Sequence, residues 1–226
     1  MERLNIKDFE KIEKIETKEL YIDKSFSEGW GDSKFHFGYV EENKKSGEVI
    51  RITGNKKSGY SKVISNPEKP TQETLQFDIE GNLISIATTY IGRIKKFPNG
   101  RMGRPGFAFG IGTGYLYDSK GLIINTMEFD KGYDMSIEEL EKILLEKKKI
   151  NLNDCATGIY KMGEEQLKAI FEKYIVDGKY DAEFSNHAPF WDIQYRLDPK
   201  DYSQTRLIVG GKTGEILYEG IIQSNN

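Results

Sequence analysis

The sequence predicts an α+β protein: mainly antiparallel β-sheet in a hairpin meander, two or three helices, and a C-terminal unit of helix plus antiparallel sheet. Three observations carry that expectation. Two similar hairpin-like stretches stand forty residues apart, a capped amphipathic helix pattern follows them, and the last part of the chain runs from a second helix pattern into strands.

The hairpin stretches lie between Phe77 and Gly132. The first is Phe77-Asp78-Ile79-Glu80-Gly81-Asn82-Leu83-Ile84, running on to Tyr90-Ile91-Gly92. The second is Tyr117-Asp118-Ser119-Lys120-Gly121-Leu122-Ile123-Ile124, running on to Phe129-Asp130-Lys131-Gly132. In each, Asp-x-x-Gly supplies a turn, because the Asp side chain bonds nearby backbone and Gly accepts a positive φ. The flanking aromatic and β-branched residues suit a pleated, half-buried surface. The glycines keep the offset of forty, but Tyr90 and Phe129 fall one residue out of step. Two copies make a weak repeat, not an array.

Taken in order, residues 1–20 place Ile6, Phe9, Ile12 and Ile15 at roughly helical spacing, which predicts a short helix or an arm. Lys18 to Phe26 reads as a strand, Trp30 and Gly31 as loop, and Phe35 to Val40 as an alternating strand. Glu41 to Gly47 is a polar turn. Val49 to Thr53 is a half-buried strand with Ile50 and Ile52 on one face. Asn55 to Gly59 is a turn, and Asn66 to Pro70 a loop. Lys95 to Gly114 holds six of the 23 glycines, with Pro98 and Pro105, a density that argues against a regular element. It reads either as a bulged strand where Gly admits a close approach, or as a mobile loop shown to a partner. Gly110-Ile111-Gly112-Thr113-Gly114 has the look of a phosphate-cradling loop. Strand-like Tyr115-Leu116-Tyr117 follows where that fold needs a helix, so the reading is rejected.

Asp134 to Lys148 is the clearest helix. Ser136 and Glu139 form a capping box, Ile137, Leu140, Ile143 and Leu144 make an apolar face, and Lys147 to Lys149 suit the negative end of the dipole. Asn151 to Gly158 reads as a linker or loop, dividing a β-rich domain of residues 1–150, which ends in this helix, from an α+β domain of 151–226, the two being either separate domains or packed as one unit. Glu164 to Ile175 is a second helix, with Gly178 as its stop. Phe190 to Leu197, Thr205 to Val209 and Glu215 to Tyr218 read as strands, the last two joined by a turn at Gly210 to Gly214.

Composition excludes some classes of function. Of 226 residues, 33 are basic and 36 acidic, for a net charge of −3, which is no footprint for nucleic acid. Residues 151–226 carry a net −4 against +1 for the rest, which would suit a basic partner, though so small a difference is usually a solvated face. The single cysteine, Cys155, rules out an intramolecular disulfide and fits a reducing compartment. The first residues lack the apolar core of a signal peptide, and no apolar run reaches spanning length. As written, the chain reads as cytoplasmic; a leader removed from the native protein would place it in the periplasm or envelope.

The chemistry of the side chains is sparse. His36 and His187 are too few and too far apart for a metal cage, and no cofactor is expected. His36 lies between Phe35 and Phe37 and so faces away from them, toward the surface or a partner. Cys155 reads as a small packing residue. Asp78 and Asp118 are candidates for paired acid–base carboxylates, but their identical place before a turn Gly favours turn capping. Trp30 and Trp191 read as core or platform residues.

Leu207-Ile208-Val209-Gly210-Gly211-Lys212-Thr213-Gly214-Glu215-Ile216-Leu217 resembles the end of a PepSY-type domain, over about residues 160–220. That resemblance implies a helix before a small antiparallel sheet and a non-catalytic binding or inhibitory role. The units at Phe77–Gly92 and Tyr117–Gly132 resemble the hairpin repeats of MORN-like bacterial antitoxin and immunity proteins, although those have more copies and a more regular period. Together the resemblances imply a non-enzymatic immunity protein whose partner is a cognate toxin, blocked by occlusion of its active site. The residues expected to meet that partner are Phe107, Phe109 and Tyr115 of the Gly-rich segment, with Asp198 and Asp201 for a basic toxin surface. The rivals are an envelope-associated PepSY-like module and a hydrolase, the latter marked by a pocket holding His36 or His187 beside a carboxylate. The oligomeric state is left open.

Overall fold

In the computed structural model, the described residues are 2–6, 37–43, 47–96, 102–104, 107–152, 156–174, 180, 182–196 and 204–222. The expected strand at Lys18 to Phe26, the loop at Trp30 and Gly31, His36, Cys155, Gly178, Asp198, Asp201 and most of the N-terminal arm lie outside them.

The expected α+β architecture is present. Among the described residues, β1 (Phe37–Asn43), β2 (Glu48–Asn55), β3 (Gly59–Ser65), β4 (Thr71–Phe77), β5 (Leu83–Tyr90), β8 (Phe109–Tyr117) and β9 (Ile123–Glu128) form a seven-stranded sheet in the order β1-β2-β3-β4-β5-β8-β9. Two short strands, β6 (Lys95–Lys96) and β7 (Met102–Gly103), pair with each other between β5 and β8 in sequence. The sheet is a meander in which short connections join neighbouring strands, as antiparallel pairing allows, except between β5 and β8, where residues 91–108 intervene. Register places Tyr60, Ile64, Leu75, Phe77, Leu83 and Ile86 on one face, where Leu4 and Ile6 join them in a core. The opposite face carries Ser61, Val63, Thr74, Gln76, Ser85 and Ala87. The pattern alternates apolar with polar, as expected of a sheet with one face in the core.

The Gly-rich stretch is partly regular: β8 runs straight through Gly110, Gly112 and Gly114. The reason lies in the ring of Phe129. A Cβ on Gly110 would sit 2.5 Å from that ring, and one on Gly114 2.8 Å from it. Phe129 N donates to Gly112 O at 2.9 Å, so the ring lies across a strand that has no side chains to push it off. Of the two sequence expectations for this segment, the strand holds from Phe109 onward.

By its internal contacts the chain separates into two compact units, 1–90 with 110–129, and 91–109 with 130–226. The second unit holds a four-stranded antiparallel sheet, β10 (Ala156–Met162), β11 (Phe190–Tyr195), β12 (Gln204–Gly210) and β13 (Ile216–Ile222), in that order. It also holds helix α1 (Ile137–Lys148), helix α2 (Glu164–Tyr174) and a 3-10 turn over Ala182–His187. Of the stretch Asn151 to Gly158, expected as a linker or loop, the part from Ala156 belongs to β10, and Leu152 is buried, as is Ile150 just before it.

Both helices cover this sheet, one on each side. Leu167 and Phe171 of α2 pack on Phe190 and Ile208. Trp191, Ile193, Leu207 and Val209 face the other way. On that side α1 buries Ile137, Leu140 and Leu144 and extends the same stripe to Lys148, which pairs with Glu219, the register partner of Leu207. Fully burying a side chain of this size stabilises by about 1.5–3 kcal/mol, so β11 and β12, buried on both faces, anchor this unit. The capping box of α1 forms as its sequence predicts: Ser136 Oγ accepts from Glu139 N, and Glu139 Oε2 accepts from Ser136 N at 2.8 Å. These bonds hold the Glu139 carboxyl below its ordinary pKa.

Candidate functional site

Two turns of the first unit, β4–β5 and β8–β9, are built alike. Asp78 Oδ1 accepts from Glu80 N and Asn82 N, both at 2.8 Å. Asp118 Oδ1 accepts from Lys120 N at 2.9 Å and Leu122 N at 2.8 Å. Gly81 and Gly121 take φ values of 83° and 81°, and each hairpin has a register shift at its last aromatic residue. Both aspartates are therefore turn caps. Burial pushes the Asp78 carboxyl up, but hydrogen bonds from Asn82, Glu80 and Gly81 outweigh it and leave its pKa lowered.

These hairpins also hold most of the exposed large aliphatics described: Ile79, Ile84, Leu122, Ile123 and Ile124. Leu122, Ile123 and Ile124 are 63%, 55% and 64% exposed, contiguous, and at the start of edge strand β9. Contiguous apolar surface of this kind marks an interaction site more often than chance. Tyr115, opposite Thr126 on β8, is half-buried close by in the same hairpin.

The other two aromatic residues expected to face a partner, Phe107 and Phe109, are placed differently. Phe107 is buried, at 5% exposure, against an expectation of an exposed anchor. Phe109 is half-buried, stacked on Phe107 and edge-on to Trp191, with ring centroids 6.4 and 5.4 Å apart. Tyr133 adds a ring 4.9 Å from Trp191. Lys161 Nζ stands 5.1–5.5 Å from the ring centroids of Tyr133, Trp191 and Phe109, and pairs with Asp130. A cation within about 6 Å of ring faces is attracted by their quadrupoles, so Lys161 binds these rings together. The Tyr133 hydroxyl donates to Phe190 O and accepts from Met162 N, both at 2.8 Å; burial pushes its pKa well up. Trp191 Nε1 is buried and finds no hydrogen-bond partner among the described residues. Trp191 is thus a core residue.

The second unit also buries an ion pair that the sequence did not signal. Asp192 accepts from Arg206 Nε at 2.9 Å and Nη2 at 3.2 Å, and from Gln194 Nε2 at 3.0 Å. Asp192 is 1% exposed. Burial raises its pKa, opposed by the Arg206 charge. His187 stands beside a carboxylate, with Nδ1 2.9 Å from Thr213 Oγ1 and 3.7 Å from Glu215 Oε2. Thr213 Oγ1 in turn accepts from Glu215 N at 3.2 Å, so the imidazole is tied into the β12–β13 turn. Among the described residues, no group of three or more His, Cys, Asp or Glu side chains could hold a metal. No described helix is long and apolar enough to cross a membrane.

Sequence reasoning missed Lys161, Asp130, Asp192 and Arg206, because each is a lone charge whose partner arrives from another strand or loop. The Leu122-Ile123-Ile124 run was legible as an apolar run, but its exposure was not.

No family model matches the chain, and no curated protein does. Among solved structures, the Bacillus megaterium YpeB C-terminal domain is similar at 10% sequence identity, with 99% of this chain and 100% of that chain covered and a TM-score of 0.19. A TM-score that low does not establish a shared fold.

Proposed function

We propose that this chain is a non-enzymatic protein-binding module, and that its partner is a bacterial toxin which it neutralises by covering the active site. The observation that carries the binding reading is the exposed aliphatic run Leu122-Ile123-Ile124 on an edge hairpin, beside half-buried Tyr115. It is supported by the structural employment of the acids and bases that an enzyme would need. Asp78 and Asp118 cap turns, Asp192 is held by Arg206, and His187 is held in a turn. The immunity role itself rests on the resemblance of the two hairpin units to MORN-like immunity proteins.

The test is co-purification with the product of the neighbouring gene, followed by growth of cells producing that product with and without this chain. A stable complex and restored growth are expected. Absence of both would end the immunity reading. An envelope-associated PepSY-like inhibitory module is the second reading. It is favoured by one feature, the helix α2 followed by three antiparallel strands that close on the Lys212-Thr213-Gly214-Glu215 turn. Fractionation of cells expressing the native gene separates the two, since only the second places the protein at the envelope.

A further inference from the structure

Little holds β9 in place. Among the described strands it has one neighbour, β8, and of its own residues only Met127 is half-buried, the rest being exposed. A strand with so few buried apolar contacts opens easily unless its ends are fixed. The tip end is fixed by the turn that Asp118 caps, through its bonds from Lys120 N and Leu122 N. The other end is fixed by Phe129. Its N–H reaches Gly112 O, one step past the ladder pair of Thr113 and Glu128. Its ring lies across β8. A Cβ on Gly110 would fall 2.5, 2.6 and 2.8 Å from ring atoms Cδ1, Cγ and Cε1, and one on Gly114 would fall 2.8 Å from Cε2. The two glycines thus lie under opposite edges of one ring. Gly110 has no positive φ, so its backbone suits a residue with a Cβ, and it is the ring that requires glycine there.

We propose that Phe129 is the positioning residue of the exposed Leu122-Ile123-Ile124 run: its ring, seated on Gly110 and Gly114, holds β9 on β8 and so presents the run to a partner in one arrangement. A run carried on a frayed strand has to be ordered when it binds, and that ordering subtracts from affinity. Phe129 lies outside the run and acts on it through the hairpin. The ring and its glycine seat form one device, since a side chain on Gly110 displaces the ring and loss of the ring removes the reason for Gly110. This inference rests on the reading of the chain as a protein-binding module and deepens it by naming what fixes the binding element.

The experiment uses the full chain. In Phe129→Ala, amide hydrogen exchange in β9 is expected to quicken several-fold over the unaltered chain, with β3 and β4 unchanged. Phe129→Tyr, which keeps the ring, is expected to restore the original rates. Gly110→Ala is expected to quicken β9 where Phe129 is present and to add nothing in the Phe129→Ala background, a coupling read as a double-mutant cycle. Capture of the neighbouring gene product is expected to weaken several-fold in Phe129→Ala and in Gly110→Ala, and to return in Phe129→Tyr. Unchanged exchange in β9, equal effects of Gly110→Ala in the two backgrounds, or undiminished capture by a chain whose β9 has loosened would overturn the proposal. If the unaltered chain captures nothing, the immunity reading falls, and the exchange rates with the double variant still decide whether Phe129 holds the strand.

Discussion

Asp192 and Arg206 stand diagonally on the neighbouring strands β11 and β12, Asp192 in register with Ile208 and Arg206 with Gln194, and each is intelligible only through the other. Taking a carboxylate to 1% exposure is costly, and the two bonds from Arg206 and the one from Gln194 offset that cost. Removing one partner leaves the other buried and uncompensated. Asp192→Ala is therefore expected to cost about 3–5 kcal/mol, measured by urea unfolding; a loss under about 1 kcal/mol would mean that water reaches Arg206. Glu164 makes a second prediction, of pH dependence. Hydrogen bonds from Ser185 and then Lys168 hold its folded pKa at about 2, against 4.5 for the free side chain. A depressed carboxylate pKa means that the folded state binds its proton less readily than the unfolded state. Its stabilisation is fully present above pH 4.5 and is lost as pH falls from 4.5 toward 2. Glu164→Gln is expected to flatten the stability profile in that window and leave the profile above it unchanged in slope. An unaltered acid limb would refute the assignment.

At the level of the element, the two Asp-x-x-Gly turns form a natural pair for comparison. Both glycines need a left-handed backbone, which costs a residue with a Cβ roughly 1–2 kcal/mol. At Gly81 there is also backbone above it: a Cβ there would lie 2.4 Å from Leu4 O. Gly81→Ala is therefore expected to destabilise by more than that backbone strain alone, by an amount visible in the denaturant midpoint. A loss no larger than the strain would show that residues 2–6 do not hold their place over the first turn. The elements themselves were largely legible. The capping box of Ser136 and Glu139, the turns at Gly59, Gly81, Gly121 and Gly214, and the strands at Phe190 and Thr205 all follow from local chemistry. β10 was not legible, since its sequence alternates weakly, and β8 was obscured because its glycines answer to a ring twelve or more residues away.

For the whole chain, the division into units does not follow the line that the sequence draws after residue 150. Helix α1 groups with the second unit, and residues 110–129 return to the first. Periodicity declares that α1 has an apolar face; it does not name the sheet that buries it. The difference between the sheets should be visible in amide hydrogen exchange. β11 and β12 have both faces covered and lie inside their sheet, whereas β9 is an exposed edge. The slowest amides are expected in β11 and β12 and the fastest strand amides in β9, because exchange follows the free energy of local opening. Comparable protection in β9 would mean that its edge is covered in solution.

The sequence alone determined the features that depend on a few neighbouring residues: the fold class, the caps, the turns and the apolar faces of the helices. Those arise from backbone sterics and short-range hydrogen bonds, which act over three or four positions. The tertiary structure decided that residues 3–6 lie on the first of two similar hairpins, and that Leu122, Ile123 and Ile124 of the second are exposed. It also decided that Phe107 is core where a surface anchor was expected, and which cation meets the rings of Tyr133 and Trp191. Burial and charge pairing are properties of what arrives from elsewhere in the chain, and local pattern holds no record of it.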